Sequence, residues 1–206
     1  MAPGNGDWQR PELSKARKTA TRERPELGKA QTPSQVRHHE LVANQVTVFV
    51  AQYVLYVVAA AAAYVWLRAS RPDKVSLAFE AVVAMVLVAV MVKVAGAVHV
   101  DPRPFVQNPT VKPLFQHPPD NGFPSDHTAL ATAIALVVWH YRRWVGWALV
   151  VLSVLIGLAR VIAQVHHTQD IVAAIVIGLL AAWAAVVLWR RGVKPRLSGK
   201  LAAIAR

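Results

Sequence analysis

Most of the residues able to do chemistry fall in three short clusters. The first is Asp101-Pro-Arg103-Pro-Phe105-Val106. The second is Phe123-Pro-Ser125-Asp126-His127-Thr128, and the third runs from Arg160 through His166-His167-Thr168-Gln169 to Asp170. Together they supply what phosphoryl transfer needs. A neutral imidazole can attack phosphorus, and a carboxylate bonded to its other ring nitrogen fixes the tautomer and stabilises the imidazolium that forms. His166 and Asp170 are four residues apart, so they share a helical face or straddle a helix start. A second imidazole, His127, can protonate the leaving oxygen. Arg103 and Arg160 can hold the equatorial oxygens and neutralise their charge. Helix N-termini at Ser125 and Thr168 can aim backbone N–H groups at the same anion.

Each cluster alone has an ordinary structural reading. Arg103 between two prolines can anchor a stiff loop, and Ser125 with Asp126 can simply cap a helix. A His–Asp pair is often structural. Ionisable groups beside a bilayer are costly, however, and three such loops converging by accident is a poor account of them. The chemistry needs no metal or other cofactor, and no carboxylate cage for Mg²⁺ is evident. A zinc site built from His127, His166 and His167 would leave both arginines without a role.

The clusters must be positioned by apolar elements. Of 206 residues, 55% are hydrophobic, and they gather in five segments. These run from about Leu41 to Leu67, Val75 to Val100, Asp126 to Tyr141, Trp144 to Val165 and Gln169 to Trp189. A hydrocarbon core of about 30 Å takes roughly 20 helical residues. The expected fold is therefore an all-α integral membrane bundle of about five transmembrane helices. Residues 1–40 form a basic tail with a repeat, Arg10-Pro-Glu-Leu and Arg24-Pro-Glu-Leu, expected to be disordered or to form short interfacial helices; part of 31–46 could form an additional one. Residues 41–190 are expected to form the membrane domain and 191–206 a basic cytoplasmic tail.

Net charge is +12. Basic residues flank the apolar runs rather than forming a patch, so the charge points to membrane orientation, not to a nucleic-acid partner. Arg68, Arg71 and Lys74, then Arg142 and Arg143, then the tail from Arg190 all fall on one side by parity. The positive-inside rule makes that side cytoplasmic. The three clusters then face outward, although five spans place the basic N-terminal tail outside, against the rule. Arg160 and His166 are about 600° of helical rotation apart, so the fourth helix is expected to end between them. With no cysteine, neither disulfides nor thiolate chemistry is available.

At these residues the chain resembles the type 2 phosphatidic acid phosphatase superfamily. That signature is a Lys and then Arg-Pro, followed by Pro-Ser-Gly-His, followed by Ser-Arg with His six and Asp ten residues after the Arg. Here stand Arg103-Pro104, Pro124-Ser125-Asp126-His127, and Arg160, His166 and Asp170. Ala159 replaces the Ser, Asp126 the Gly, and Gly96 the Lys; Lys93, one turn earlier, could snorkel to the phosphate instead. Pro102-Arg103-Pro104-Phe105-Val106 and Pro-Ser-Asp-His look like the bacitracin-resistance type of undecaprenyl pyrophosphate phosphatase.

The resemblance implies hydrolysis of undecaprenyl pyrophosphate at the outer face of a bacterial plasma membrane, supporting peptidoglycan synthesis. It implies His166 as nucleophile, Asp170 as its orienting acid, and His127 as general acid and then base. Arg103, Arg160 and Ser125 would cradle phosphate. The resemblance carries no role over to Asp126, which could hold His127 or Arg103, and His99 and His167 are expected to be peripheral. Rival readings keep the site and change the lipid, replace water by a lipid acceptor, or make the chain a non-enzymatic anchor with a basic tail. Phosphate release separates the enzymes from the anchor. Oligomeric state is not legible.

Overall fold

The computed structural model describes residues 33–195; the repeat-bearing tail and residues 196–206 lie outside them. The chain divides into two units, 1–41 and 42–206, and the second holds the bundle. In chain order the described elements are α1 (Pro33–Arg68), α2 (Arg71–Val98), the single turn α3 (Pro104–Gln107), α4 (Asp126–Tyr141), α5 (Arg143–Ile162) and α6 (Thr168–Val187). A π-helical turn, Leu188–Val193, continues α6. Residues 33–46 are the first turns of α1 rather than a separate interfacial helix.

Among the described residues, four stretches are long and apolar enough to cross a membrane: Glu40–Arg68, Arg71–Val98, Arg143–Ile162 and Thr168–Val193. Their outer faces carry exposed Phe49, Tyr64, Val90, Val151, Val176 and Trp183. So much apolar surface left uncovered is what lipid contact requires, and the chain is a multi-pass all-α membrane protein.

The fifth helix, α4, is different. Its 16 residues reach only about 24 Å, and it does not extend through Trp144. It ends at Tyr141, and α5 begins at once at Arg143. Instead of facing lipid, α4 runs through the middle of the bundle, packed by α2, α5 and α6. Thr128, Ala129, Ala131, Thr132, Ala133 and Ala135 are buried along it. Small side chains let neighbouring backbones approach closely, which is the main source of helix association in lipid.

Glycines complete that approach. A Cβ on Gly178 of α6 would lie 2.6 Å from the Ala129 carbonyl oxygen, and one on Gly146 would lie 2.2 Å from Trp139 Cα. The second contact is why α4 and α5 can fold back on each other across so tight a turn.

The chain alternates direction, so the two ends of the bundle differ. At one end lie Arg68, Lys74, Arg143 and Arg190, where Trp66 donates to the Lys74 carbonyl, Arg143 stacks on Trp139 and Arg190 meets His140. At the other end lie the C-terminus of α2, the loop 99–125, the start of α4 and the α5–α6 turn.

Gly178→Val should lower the midpoint of thermal unfolding in detergent by several degrees, since overpacking against backbone costs about 1–3 kcal/mol. Leu179→Ala, on an exposed face, should stay within about 0.5 kcal/mol of the parent. Circular dichroism melts of the two variants check this, and equal midpoints would contradict the packing described.

Candidate active site

The loop between α2 and α4 is assembled around one amide. The side-chain oxygen of Asn121 accepts from the backbone N–H groups of Asp101 and Phe123, at 2.9 and 3.0 Å. Its nitrogen donates to the Gly96 and His99 carbonyls, at 2.9 and 3.1 Å. One side chain thus caps α2 and closes the loop on itself. The loop is also tied to the α5–α6 turn, where Leu114 N–H donates to the Ala163 carbonyl at 3.1 Å. That turn ends α5 at Ile162, between Arg160 and His166, as the helical rotation between them demands. Gln164 adopts φ 60° there, the left-handed conformation that commonly terminates a helix.

These elements deliver His166 to a buried position, 3% exposed. Arg103 Nη1 lies 3.3 Å from His166 Nε2, and Asp170 Oδ2 lies 3.3 Å from Nδ1. A guanidinium has donors and no acceptor, so the Nε2 facing it carries the lone pair and Nδ1 carries the proton. The tautomer is therefore set by the two neighbours. Burial pushes the His166 pKa below the ordinary histidine value, against the opposing pull of Asp170.

Asp170 Oδ2 also accepts from the His167 N–H at 2.8 Å. Behind it, Gln169 Nε2 donates to Asp101 Oδ2 at 2.6 Å, and Gln107 Nε2 donates to Asp101 Oδ1 at 3.0 Å.

The two arginines are held as firmly. Arg103, 5% exposed, donates from Nε to Asp120 Oδ1 at 2.8 Å and from Nη1 to the Val165 carbonyl at 2.7 Å. Burial works to raise the Asp120 pKa, but the Arg103 hydrogen bond and charge hold it below the usual carboxylate range. Arg160, 3% exposed, donates from Nη1 to the Ala51 carbonyl at 3.0 Å, and its Nη2 lies 3.2 Å from His117 Nε2.

His166, Arg103, Arg160, His127, Asp126 and Lys93 all border one cavity of about 520 Å³. A neutral imidazole whose lone pair faces Arg103, in a cavity that Arg160 and Lys93 also border, can attack an anionic phosphorus centre. Residues 75–194 match the PAP2 superfamily. The chain belongs to that superfamily.

Two PAP2 relatives are similar over most of their length. One is a protein of Bacillus licheniformis described as bacitracin transport permease protein BcrC, 32% identical over 139 residues, or 68% of this chain and 68% of that one. The other is undecaprenyl-diphosphatase BcrC of Bacillus subtilis strain 168, 28% identical over 143 residues, or 69% of this chain and 73% of that one. Among solved structures, the crystal structure of LpxE from Aquifex aeolicus superimposes with a TM-score of 0.58 at 25% identity, covering 76% of this chain and 88% of that one.

Within this PAP2 site, some expected residues sit apart from the cavity. Ser125 is fully buried, its hydroxyl 3.1 Å from Thr128 Oγ1, and its N–H donates to the Asp170 carbonyl at 3.3 Å. Its hydroxyl therefore braces the start of α4 and does not line the cavity. The carboxylate partner of Arg103 is Asp120, not Asp126. Possible metal donors among the described residues gather as Asp101, His167 and Asp170, within 4.8 Å of one another; His127 and His166 do not join them. His99 stacks edge-on against Phe123.

His117, Asp120 and Asn121 were missed at the sequence level, though a His-Pro-Pro-Asp-Asn run between two reactive clusters was a usable signal. At Gly96 a Cβ would lie 3.0 Å from the Phe123 carbonyl oxygen, a tight approach. Lys93, one turn earlier, borders the cavity.

Asn121→Asp would turn two donors into acceptors facing the Gly96 and His99 carbonyls, an uncompensated loss. Amide hydrogen exchange of the 101–124 segment should then quicken at least tenfold, with α5 and α6 unchanged. Unaltered exchange in that segment would remove the clamp from this account.

Proposed function

We propose that the chain hydrolyses a lipid diphosphate, undecaprenyl pyrophosphate plus water giving undecaprenyl phosphate plus phosphate, through a phosphohistidine at His166. The observation that carries this reading is the His166 ring held between Asp170 at Nδ1 and the Arg103 guanidinium at Nε2. The names carried by one BcrC relative and the two cationic side chains buried at the cavity support it.

The reaction is read as two displacements. Nε2 of His166 forms a bond to the terminal phosphorus as the bond to the bridging oxygen breaks. Arg103 and Arg160 hold the equatorial oxygens, whose charge they stabilise most in the transition state, and Lys93 adds a further positive charge. His127 protonates the departing oxygen, then takes a proton from water as the water attacks the phosphoryl group on His166. Asp170 stabilises the imidazolium that forms in between. No step requires a metal. The lipid stays in the bilayer and the site opens at its outer face, opposite the basic end formed by Arg68, Arg143 and Arg190. Substitution of water by a lipid acceptor would make the same site a phosphotransferase.

A phosphate-release panel in detergent, run with excess EDTA, tests substrate and metal independence together. Undecaprenyl pyrophosphate should be turned over faster than phosphatidic acid, phosphatidylglycerol phosphate or a polyprenyl monophosphate. Inactivation by EDTA with rescue by Mg²⁺ or Zn²⁺ would count against the mechanism.

His166→Ala should abolish turnover, because no covalent intermediate can form. His127→Ala should cost a monophosphate lipid about 10²–10⁴-fold, the usual contribution of general acid catalysis. It should cost a diphosphate less, since a phosphate monoester leaves readily without a proton. Rates of the variants on both lipids decide this, and equal losses would assign His127 to binding.

Orientation is checked by an impermeant thiol reagent on intact cells. A cysteine introduced at 117 should label and one at 142 should not; the reverse pattern would place the site on the cytoplasmic side.

A further inference from the structure

The reading above accounts for the attacked phosphorus but leaves His117 without a task. His117, His127 and Arg160 border two spaces at once: the site cavity of about 520 Å³, and an adjoining chamber of about 380 Å³ lined also by Gln52, Tyr53 and Tyr56. Arg103 and His166 border the first and not the second. In-line displacement carries the leaving group away from the nucleophile. His117 and His166 border the same cavity with ring centroids 6.4 Å apart, so a leaving phosphate beyond a phosphorus in contact with His166 comes within reach of His117.

The state of His117 follows from its neighbours. Arg160 Nη2 lies 3.2 Å from its Nε2, and a guanidinium can only donate, so Nε2 is an acceptor and the ring proton is on Nδ1. That proton faces the Pro118 carbonyl at 3.3 Å, with Asp120 Oδ1 at 4.0 Å. The charged and titratable groups facing the ring are Arg103, Arg160, Asp120, His127 and His166. Burial and then the charge of Arg103 lower its pKa. A half-buried lone pair set against a cation, in a cavity that Arg103 and Lys93 also border, occupies the place that an anionic oxygen would take.

We propose that His117 is a further substrate-binding residue, which holds Arg160 through Nε2 in the empty site and receives the second phosphate of a diphosphate ester when substrate binds. The inference rests on the lipid-diphosphate reading and deepens it. The arriving phosphate replaces Nε2 as the acceptor for Arg160. The freed nitrogen takes up a proton from solvent and donates to the same phosphate, while Nδ1–H stays on the Pro118 carbonyl. A monophosphate ester has no second phosphate to make this exchange. His117 is thereby a source of preference for diphosphates.

Inorganic pyrophosphate and orthophosphate serve as probes, titrated calorimetrically into the purified full-length His166→Ala protein in detergent, where no turnover intervenes. Pyrophosphate should bind at least tenfold tighter than orthophosphate. Adding His117→Ala should reduce that ratio about tenfold. His117→Gln, which retains both an acceptor for Arg160 and a donor, should restore part of it. His117→Leu fills the space without polar atoms and repeats the test if the alanine protein does not fold. An unchanged ratio, or no preference for pyrophosphate in the His166→Ala protein, would overturn the proposal; so would equal weakening of both anions, which would reduce His117 to a support for Arg160. Failure of the underlying function is seen separately, as absence of phosphate release from prenyl diphosphate by the wild-type protein.

Discussion

A guanidinium that is almost wholly removed from water must find partners for its hydrogens, and Arg103 finds three of them in two separate parts of the chain. Asp120 comes from the loop before α4, the Val165 carbonyl from the α5–α6 turn, and His166 from the residue after it. Removing any partner would leave a buried charge short of a bond, so the loop and the turn are held together at one point. The same contact selects the His166 tautomer. A single buried cation therefore does structural and chemical work through one set of hydrogen bonds.

The rest of the bundle allows that meeting to occur at the membrane edge. Helix α4 is short and rich in alanine, and its neighbours close on it through Gly146, Gly157 and Gly178. Its N-terminus, with Ser125 buried and bonded to the Asp170 backbone, is fixed against α6. The Asn121 clamp does the corresponding job at the end of α2. Lys93, on the last turns of α2, borders the cavity.

The electrostatics follow a consistent sense. Two buried arginines and Lys93 give the cavity a positive field that favours anionic phosphates over neutral lipids. Burial and the neighbouring guanidinium charges both lower the pKa of His166 and of His117.

Much of this was legible in the sequence because it depends on local rules. Apolar run lengths determined the number of helices and their approximate ends. The four-residue spacing of His166 and Asp170 made their contact predictable, and the 600° rotation from Arg160 required a helix end between them. Arg-Pro and Pro-Ser-Asp-His carried the family resemblance. What needed the tertiary structure were the partners reached across long sequence separations. Asp120 rather than Asp126 binds Arg103; the Ser125 hydroxyl turns toward Thr128; α4 is central rather than lipid-facing; His117 meets Arg160 across 43 residues. None of these follows from periodicity. Each depends on which loop residues the close approach of α2, α4 and the α5–α6 turn leaves within hydrogen-bond reach of a buried charge.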